Sequence, residues 1–423
     1  MLNNVLIRNG TIYTHDKTIY TIDLLIREGI IVEIAPNIQA VDCEIIEAEG
    51  FYILPGLVDM HCELCEPGLD YRESFETAGN SAIAGGYTSI TCNPSTDPII
   101  DNRTVVEYVV NKASPVAIYP YGALTKGNQG KEVAEIGEMQ MQGVVAVSDG
   151  DQSLQDSRVI KTVFQYASMF DMPIILHCED HALSKGNGVN EGFIATQLGL
   201  VGSLRAAESI MVAKYIAIAK ELNVRIHLTH ISTKDSVDLI RLAKKTGCKL
   251  TAETSPQYFS LTEEEVLGYN TYAKVNPPLR SKEDVKAIVM GITDGTIDVI
   301  SSDHQPHNRD RKEVEFSLAS NGISAFETAL PVAYTYLVKP GHITMEAVVR
   351  LMSKLPSDLL TINKSLIQVG GVADLVIFDP EGDYEVDARK FRSKAKHSPY
   401  HKMTLKGLVK YTFVQGRKYM VNE

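Results

Sequence analysis

Five residues of this 423-residue chain could do chemistry together: His61, Asp149, His177, His230 and Asp303. Each stands at or just after the end of a short apolar run, in GLVDMH, VVAVSD, PIILHCED, RIHLTHIS and DVISSDH. Imidazole nitrogens and carboxylate oxygens suit zinc, manganese or iron. A single histidine at a strand end is ordinarily a hydrogen-bonded loop residue. Five metal-capable residues at five strand ends are hard to explain as packing. A carboxylate between two ions could bridge them, and Asp149 is the best-placed candidate. Water held between the ions would lose a proton near neutral pH and become a nucleophile. Asp303, at the last strand, would then be the general base that takes the proton and returns it to a leaving nitrogen. The constellation points to hydrolysis of an amide or ester.

Such residues converge only if the strands that carry them are parallel neighbours. The middle of the chain supplies eight β-branched runs, adding YTSITCN, VAIYPYGAL and KLTAETS to the five above, and most gaps hold helical patterns such as SRVIKTVFQYASMF and DSVDLIRLAKK. Buried parallel strands read as continuous apolar runs, and eight of them is the (β/α)8 TIM-barrel number, with all carboxyl ends at one mouth. A doubly wound sheet would usually show a glycine-rich phosphate turn after its first strand, and Pro55-Gly56-Leu57 lies before that strand. Both ends of the chain read differently. Residues 1–54 and 365–423 show alternating strands, and Asn9-Gly10, Glu28-Gly29 and Glu49-Gly50 predict hairpin turns. The expected architecture is α/β: a barrel over 55–364 and a small β-sandwich built from both termini.

Composition narrows the function classes. The chain has 53 acidic and 41 basic side chains, a net charge of −12, so the footprint of a nucleic-acid binder is missing. No apolar run is long enough for a membrane span, and the start MLNNVLIRNG does not read as a signal peptide. Six cysteines are too sparse for a disulfide framework and fit a reduced, cytoplasmic protein. Cys62-x-x-Cys65 has the spacing of a metal or redox pair, and Cys92 and Cys178 also end strands, but incidental small residues are the simpler reading.

The motifs resemble the dihydroorotase family of the amidohydrolase superfamily over essentially the whole length. The family's first-strand pattern Pro-Gly-x-x-Asp-x-His-x-His-x-Arg-Glu-Pro-Gly stands here as PGLVDMHCELCEPG, residues 55–68. His177 and His230 match the histidines of strands five and six, Asp149 the metal-bridging aspartate, and Asp303-His304-Gln305-Pro306-His307 the last-strand motif. KVNPPLR, with Asn276, also matches. The resemblance implies a small-molecule substrate, one or two Zn2+ ions (Mn2+ or Fe2+ as substitutes) and a homodimer. The reaction it implies is reversible opening of the dihydroorotate ring to carbamoyl aspartate, in pyrimidine synthesis.

Three positions depart from the pattern. The second histidine of the first-strand pair is Glu63, which still offers an oxygen ligand but changes charge and reach. The arginine expected to hold the substrate carboxylate is Cys65. The asparagine expected beside it is Ser95. Asn276 and His307 keep their types as substrate contacts. Three readings follow. One is a dihydroorotase whose missing contacts come from elsewhere, with Arg72, Arg309 or Lys312 as sources. Another is a cyclic amidohydrolase with a less acidic substrate. The third is a non-catalytic subunit that assembles with a partner such as aspartate transcarbamoylase. The charged stretch 302–328, with Arg309 and Arg311, predicts a lid loop over the mouth. TEEEV at 262–266 predicts a helix start.

Overall fold

A computed structural model describes residues 4–184, 188–364 and 366–422. Five strands open the chain: β1 (Val5–Tyr13), β2 (Thr18–Arg27), β3 (Ile30–Ala35), β4 (Glu44–Glu47) and β5 (Tyr52–Pro55). The barrel strands are β6 (Leu57–Asp59), β7 (Tyr87–Cys92), β8 (Ala117–Gly122), β9 (Ala146–Ser148), β10 (Ile174–Leu176), β11 (Ile226–Leu228), β12 (Leu250–Thr254) and β13 (Val299–Ile300). Three more close the chain: β14 (Leu375–Glu385), β15 (Thr404–Val414) and β16 (Arg417–Met420).

The eight middle strands lie side by side in sequence order, every pair parallel. Both faces are covered, which is why β6, β7, β9, β10 and β11 are buried at every position. Last and first strands meet just beyond their ends. Cys62 and His304 form a parallel bridge, and the Glu63 amide donates to the His304 carbonyl at 2.9 Å. Below this seam the buried Asp59 carboxylate accepts from the Ser302 amide (2.8 Å) and hydroxyl. The aspartate of the first-strand motif is thus a staple between first and last strands. Outer helices start where the sequence offers caps. Ser74 and Thr77 form a capping box before Phe75–Ala84, Thr233 caps Lys234–Lys245, and Ser281 caps Lys282–Thr293. The acidic run starts a short 3-10 helix, Glu263–Val266, capped by Thr262.

Both termini share one eight-stranded sheet in the order β16-β15-β14-β5-β1-β2-β3, with β4 beside β1. The C-terminal β14 runs antiparallel to β5, pairing Leu375 with Pro55 two residues before β6 begins. Val5, Ile7, Leu24, Ile53, Ile377 and Phe413 fill a core of its own. Two local expectations fail. Glu49-Gly50 turns no hairpin, because β4 and β5 on either side of it both run parallel to β1. Asn9-Gly10 is not a hairpin turn, because β1 runs straight through it. Asn9 takes φ 58° at a register shift, and a Cβ on Gly10 would stand 2.4 Å from Ile53 Cδ1. The pair is a β-bulge, glycine there allowing close approach of β5. The turn itself lies at Thr14–Lys17, while Glu28-Gly29 does join β2 to β3. Of the expected division between the two parts, Ser365 lies outside the described residues.

Candidate active site at the barrel mouth

Five of the barrel strands deliver acceptor side chains to the mouth: His61 after β6, Asp151 after β9, His177 after β10, His230 after β11 and Asp303 after β13. Ligand atoms of His61, Asp151 and His230 lie within 4.8 Å of one another. His61 Nε2 is 3.7 Å from Asp151 Oδ1 and 3.9 Å from Asp303 Oδ1. His230 Nε2 is 3.9 Å from Asp151 Oδ1 and 3.2 Å from His177 Nδ1. His230 and Asp303 hold positive φ (32° and 55°), a conformation that costs a non-glycine residue and is retained mainly where it aims a side chain.

The two aspartates are held alike. Gln305 donates to Asp151 Oδ2 at 2.8 Å, and Gln257 donates to Asp303 Oδ2 at 2.6 Å. In each the other oxygen, Oδ1, is buried and has no hydrogen-bond partner among the described residues. An unpaired buried carboxylate oxygen is costly. Two of them, both facing the His61 ring nitrogen, are what a cation would satisfy. The donor set of imidazoles and carboxylates therefore fits a divalent metal ion.

Electrostatics bear on the same point. Burial, reinforced by Asp151 and Glu253 and only partly opposed by His61, lifts the Asp303 carboxyl well above its ordinary range. Burial opposes the charge on Asp151 too, but the histidines around it win and hold its pKa low. Beneath His61 lies Glu253, fully buried on β12: its Oε1 is 3.3 Å from His61 Nδ1 and its Oε2 3.2 Å from His227 Nε2. Burial works against that carboxylate, yet the two imidazoles hold it down to about 2. His177 Nε2 meets Glu179 at 2.9 Å, and Asn276 donates to the same Glu179 oxygen at 3.0 Å.

The structure places two expected residues differently. Asp149 does not enter the cluster. Its carboxylate turns to the Thr125 amide (2.9 Å) and hydroxyl (2.5 Å), and Asp151, two residues on, faces the histidines instead. Glu63 is not directed to the cluster either: it accepts from Arg72 Nη2 at 2.7 Å. Cys65 is buried with its Sγ 3.9 Å from the Glu63 carbonyl, and Ser95 packs its hydroxyl against Gly150. Burial pushes the Cys62, Cys65 and Cys178 thiols well up, so they are neutral, and no cysteine enters the metal-capable group among the described residues. Of the proposed substitute cations, Arg309 is exposed and paired to Glu313, while Lys312 is buried among carbonyl oxygens. Only Arg72 reaches the mouth, where a cavity of about 600 Å³ is lined by Glu63, Arg72, Asp151, Glu179, Asn276 and His307 among others. Sequence reasoning missed Asp151, Glu253, Gln257 and Glu179. A carboxylate inside β12, one of the eight β-branched runs, was the one visible signal.

This geometry has relatives. Residues 50–236 match the family model described as dihydro-orotase-like. A dihydroorotase of Acetivibrio thermocellus is 50% identical over 356 residues, covering 84% of both chains. One from Ruminiclostridium cellulolyticum is 48% identical, covering 84% of this chain and 83% of its own. The chain belongs to the dihydroorotase family. Among solved structures, an L-hydantoinase (dihydropyrimidinase) from Arthrobacter aurescens superposes with a TM-score of 0.87 at 27% identity, over 99% of this chain and 96% of its own. A D-hydantoinase at 22% identity and TM-score 0.86 shares the fold. Membership in the dihydroorotase family accounts for a His/Asp/His cluster at a barrel mouth and for a small-molecule cavity beside it. No helix among the described residues is long and apolar enough to cross a membrane.

Proposed function

We propose that this protein is a metal-dependent dihydroorotase, opening the dihydroorotate ring to carbamoyl aspartate and closing it again in pyrimidine synthesis. The observation that carries this reading is the pair of half-satisfied buried carboxylates, Asp151 and Asp303, facing His61, in a chain 50% identical to a dihydroorotase. His61, Asp151, His177, His230 and Asp303 would hold the ion, zinc being the best match to these donors. When bound, a divalent ion polarises the ring carbonyl and lowers the pKa of water. Asp303 then moves the proton. One of its oxygens is fixed by Gln257, and the other, which has no hydrogen-bond partner among the described residues and faces His61, would accept a proton from water beside the ion and pass it to the ring nitrogen as the C–N bond breaks. Gln305 fixes Asp151, and the Glu253 carboxylate lies 3.3 Å from His61 Nδ1, on the side of the ring away from Asp151 and Asp303. Glu179, itself held by Asn276, accepts from His177 Nε2 and so orients that ring.

The test is turnover of dihydroorotate by purified protein loaded with Zn2+. Hydrolysis with stoichiometric metal bound is expected. A fully metal-loaded protein that leaves dihydroorotate intact would overturn the proposal. The relatives carry the enzyme's name and give no support to a purely scaffolding subunit.

A further inference from the structure

The mouth must recognise an acidic ring, yet two positions that the family pattern assigns to that task carry no charge here. Cys65 is buried with a neutral thiol, the uncharged Ser95 lies beside Gly150, and neither is among the residues lining the cavity. Among the described residues lining the cavity, Arg72 is the one lysine or arginine. It comes from the loop between β6 and helix Phe75–Ala84.

We infer that Arg72 is the specificity-determining cation of this site, gripping the carboxylate of the ring substrate, with Glu63 as its holder. The inference rests on the activity proposed above and names the residue that selects an acidic substrate.

Three contacts orient the guanidinium. Arg72 Nε donates to the Pro306 carbonyl at 3.1 Å, Nη2 donates to Glu63 Oε2 at 2.7 Å, and Nη2 lies 3.4 Å from His307 Nε2. A guanidinium only donates, so His307 must present the lone pair of Nε2 and carry its proton on Nδ1. Arg72 Nη1 has no partner among the described residues, which leaves its N–H groups for a ligand. Pro306 and Glu63 on one side fix the plane, and the side chain keeps 15% of its surface accessible. A pre-oriented guanidinium with a free Nη1 gives a carboxylate a charge-assisted hydrogen bond, which neither a neutral cysteine nor a serine can do. Asp151 lines the same cavity as Arg72, so a substrate held at Arg72 lies beside the metal-capable cluster.

The same placement gives Glu63 a reason. At the second histidine's position in the first-strand pattern, a glutamate paired to Arg72 trades a metal donor for a substrate-holding pair.

Two kinds of measurement test this. In steady-state kinetics, Arg72→Met should raise the KM for dihydroorotate by about 10- to 100-fold, the range for losing a charge-assisted bond. Its kcat should stay within a few-fold. Arg72→Lys, which keeps the charge without the fork, should fall between. In calorimetric binding, wild type should prefer orotate, which bears the carboxylate, over uracil, which lacks it, and Arg72→Met should erase that preference. Circular dichroism and metal content serve as fold controls. An unchanged KM with an unchanged orotate preference would overturn the inference, as would equal losses for orotate and uracil. If wild type hydrolyses no dihydroorotate, the activity proposal fails and the binding measurement still decides. Orotate bound by wild type and lost in Arg72→Met would support Arg72, and no orotate binding by wild type would overturn it.

Discussion

Asp303 and Glu253 are both fully buried acids near His61, and their environments drive them apart. Asp303 is lifted by burial and by two neighbouring carboxylates, while Glu253 is clamped low between two imidazoles. The first is suited to exchanging a proton and the second to holding a charge still. Asp303→Asn keeps the Gln257 neighbour but cannot take a proton, and should lower kcat by about 10²- to 10⁴-fold. Turnover assayed at matched metal content checks it, and a rate within tenfold of wild type would remove Asp303 from the proton path. Glu253→Gln preserves shape but removes the charge under His61 Nδ1. Metal affinity should then drop by about 10- to 100-fold, as for other partners that orient a ligand histidine. Competition with a chelator measures this, and an unchanged affinity would mean that packing alone orients the ring. At this scale the sequence was legible where chemistry sits on strand ends, as with His61, His177, His230 and Asp303. It was not legible within Ser-Asp-Gly-Asp, where Asp149 and Asp151 share a loop and only its path decides which carboxylate turns inward.

The loop from Ser302 to Gly322 shows what charge content alone hides. Its density of charge and histidine predicts a solvated lid, and it does border the mouth through Gln305, His307, Ser320 and Asn321. Yet it is pinned from beneath by two buried lysines. Lys274 Nζ donates to the carbonyls of Phe316 (2.7 Å), Ser317 (3.3 Å) and Ala319 (2.6 Å). Lys312 Nζ donates to those of Lys274 (3.3 Å), Ser320 (2.8 Å) and Gly322 (2.9 Å). Lys274 thus satisfies three loop carbonyls and Lys312 two, along with that of Lys274 itself. Lys312→Met leaves the Ser320 and Gly322 carbonyls without that donor, while the Lys274 carbonyl keeps the Gly322 amide, and should cost about 2–4 kcal/mol, given roughly 1–3 kcal/mol for each buried group left unpaired and partial relaxation. Urea unfolding reads the loss, and hydrogen exchange should speed up at residues 316–322 in particular. A variant as stable as wild type would show that solvent replaces the lysine. A lysine read from sequence counts as surface charge, because nothing in its neighbours says that the chain will fold carbonyls around it.

For the whole molecule, periodicity made the barrel and the terminal strands legible, but not how they interlock. That β5 inserts between β1 and β14 depends on pairings of residues more than 300 positions apart, such as Leu375 with Pro55. A similar long-range tie is Glu327, in the first turn of Phe326–Ala333. Its Oε1 accepts from the Ser81 hydroxyl at 2.9 Å and from the Arg392 amide at 2.5 Å, joining two barrel helices to the segment that leads into β15. Burial, only partly offset by these donors, raises its pKa from 4.5 to about 7. Between those values the folded chain keeps a proton that the unfolded chain releases, so this group makes stability fall as pH rises from about 4.5 to about 7. The cost is absent below that window and complete above it, at up to about 3 kcal/mol for a shift of this size. Glu327→Gln retains the acceptor oxygen and cannot ionise. It should therefore match wild type near pH 4.5 and exceed it at pH 8, with the difference growing across the window. Denaturant midpoints at several pH values measure that difference. A constant offset would place the effect in packing, and a variant less stable at pH 8 would show that the ionised carboxylate, rather than its proton, is what ties the two parts together.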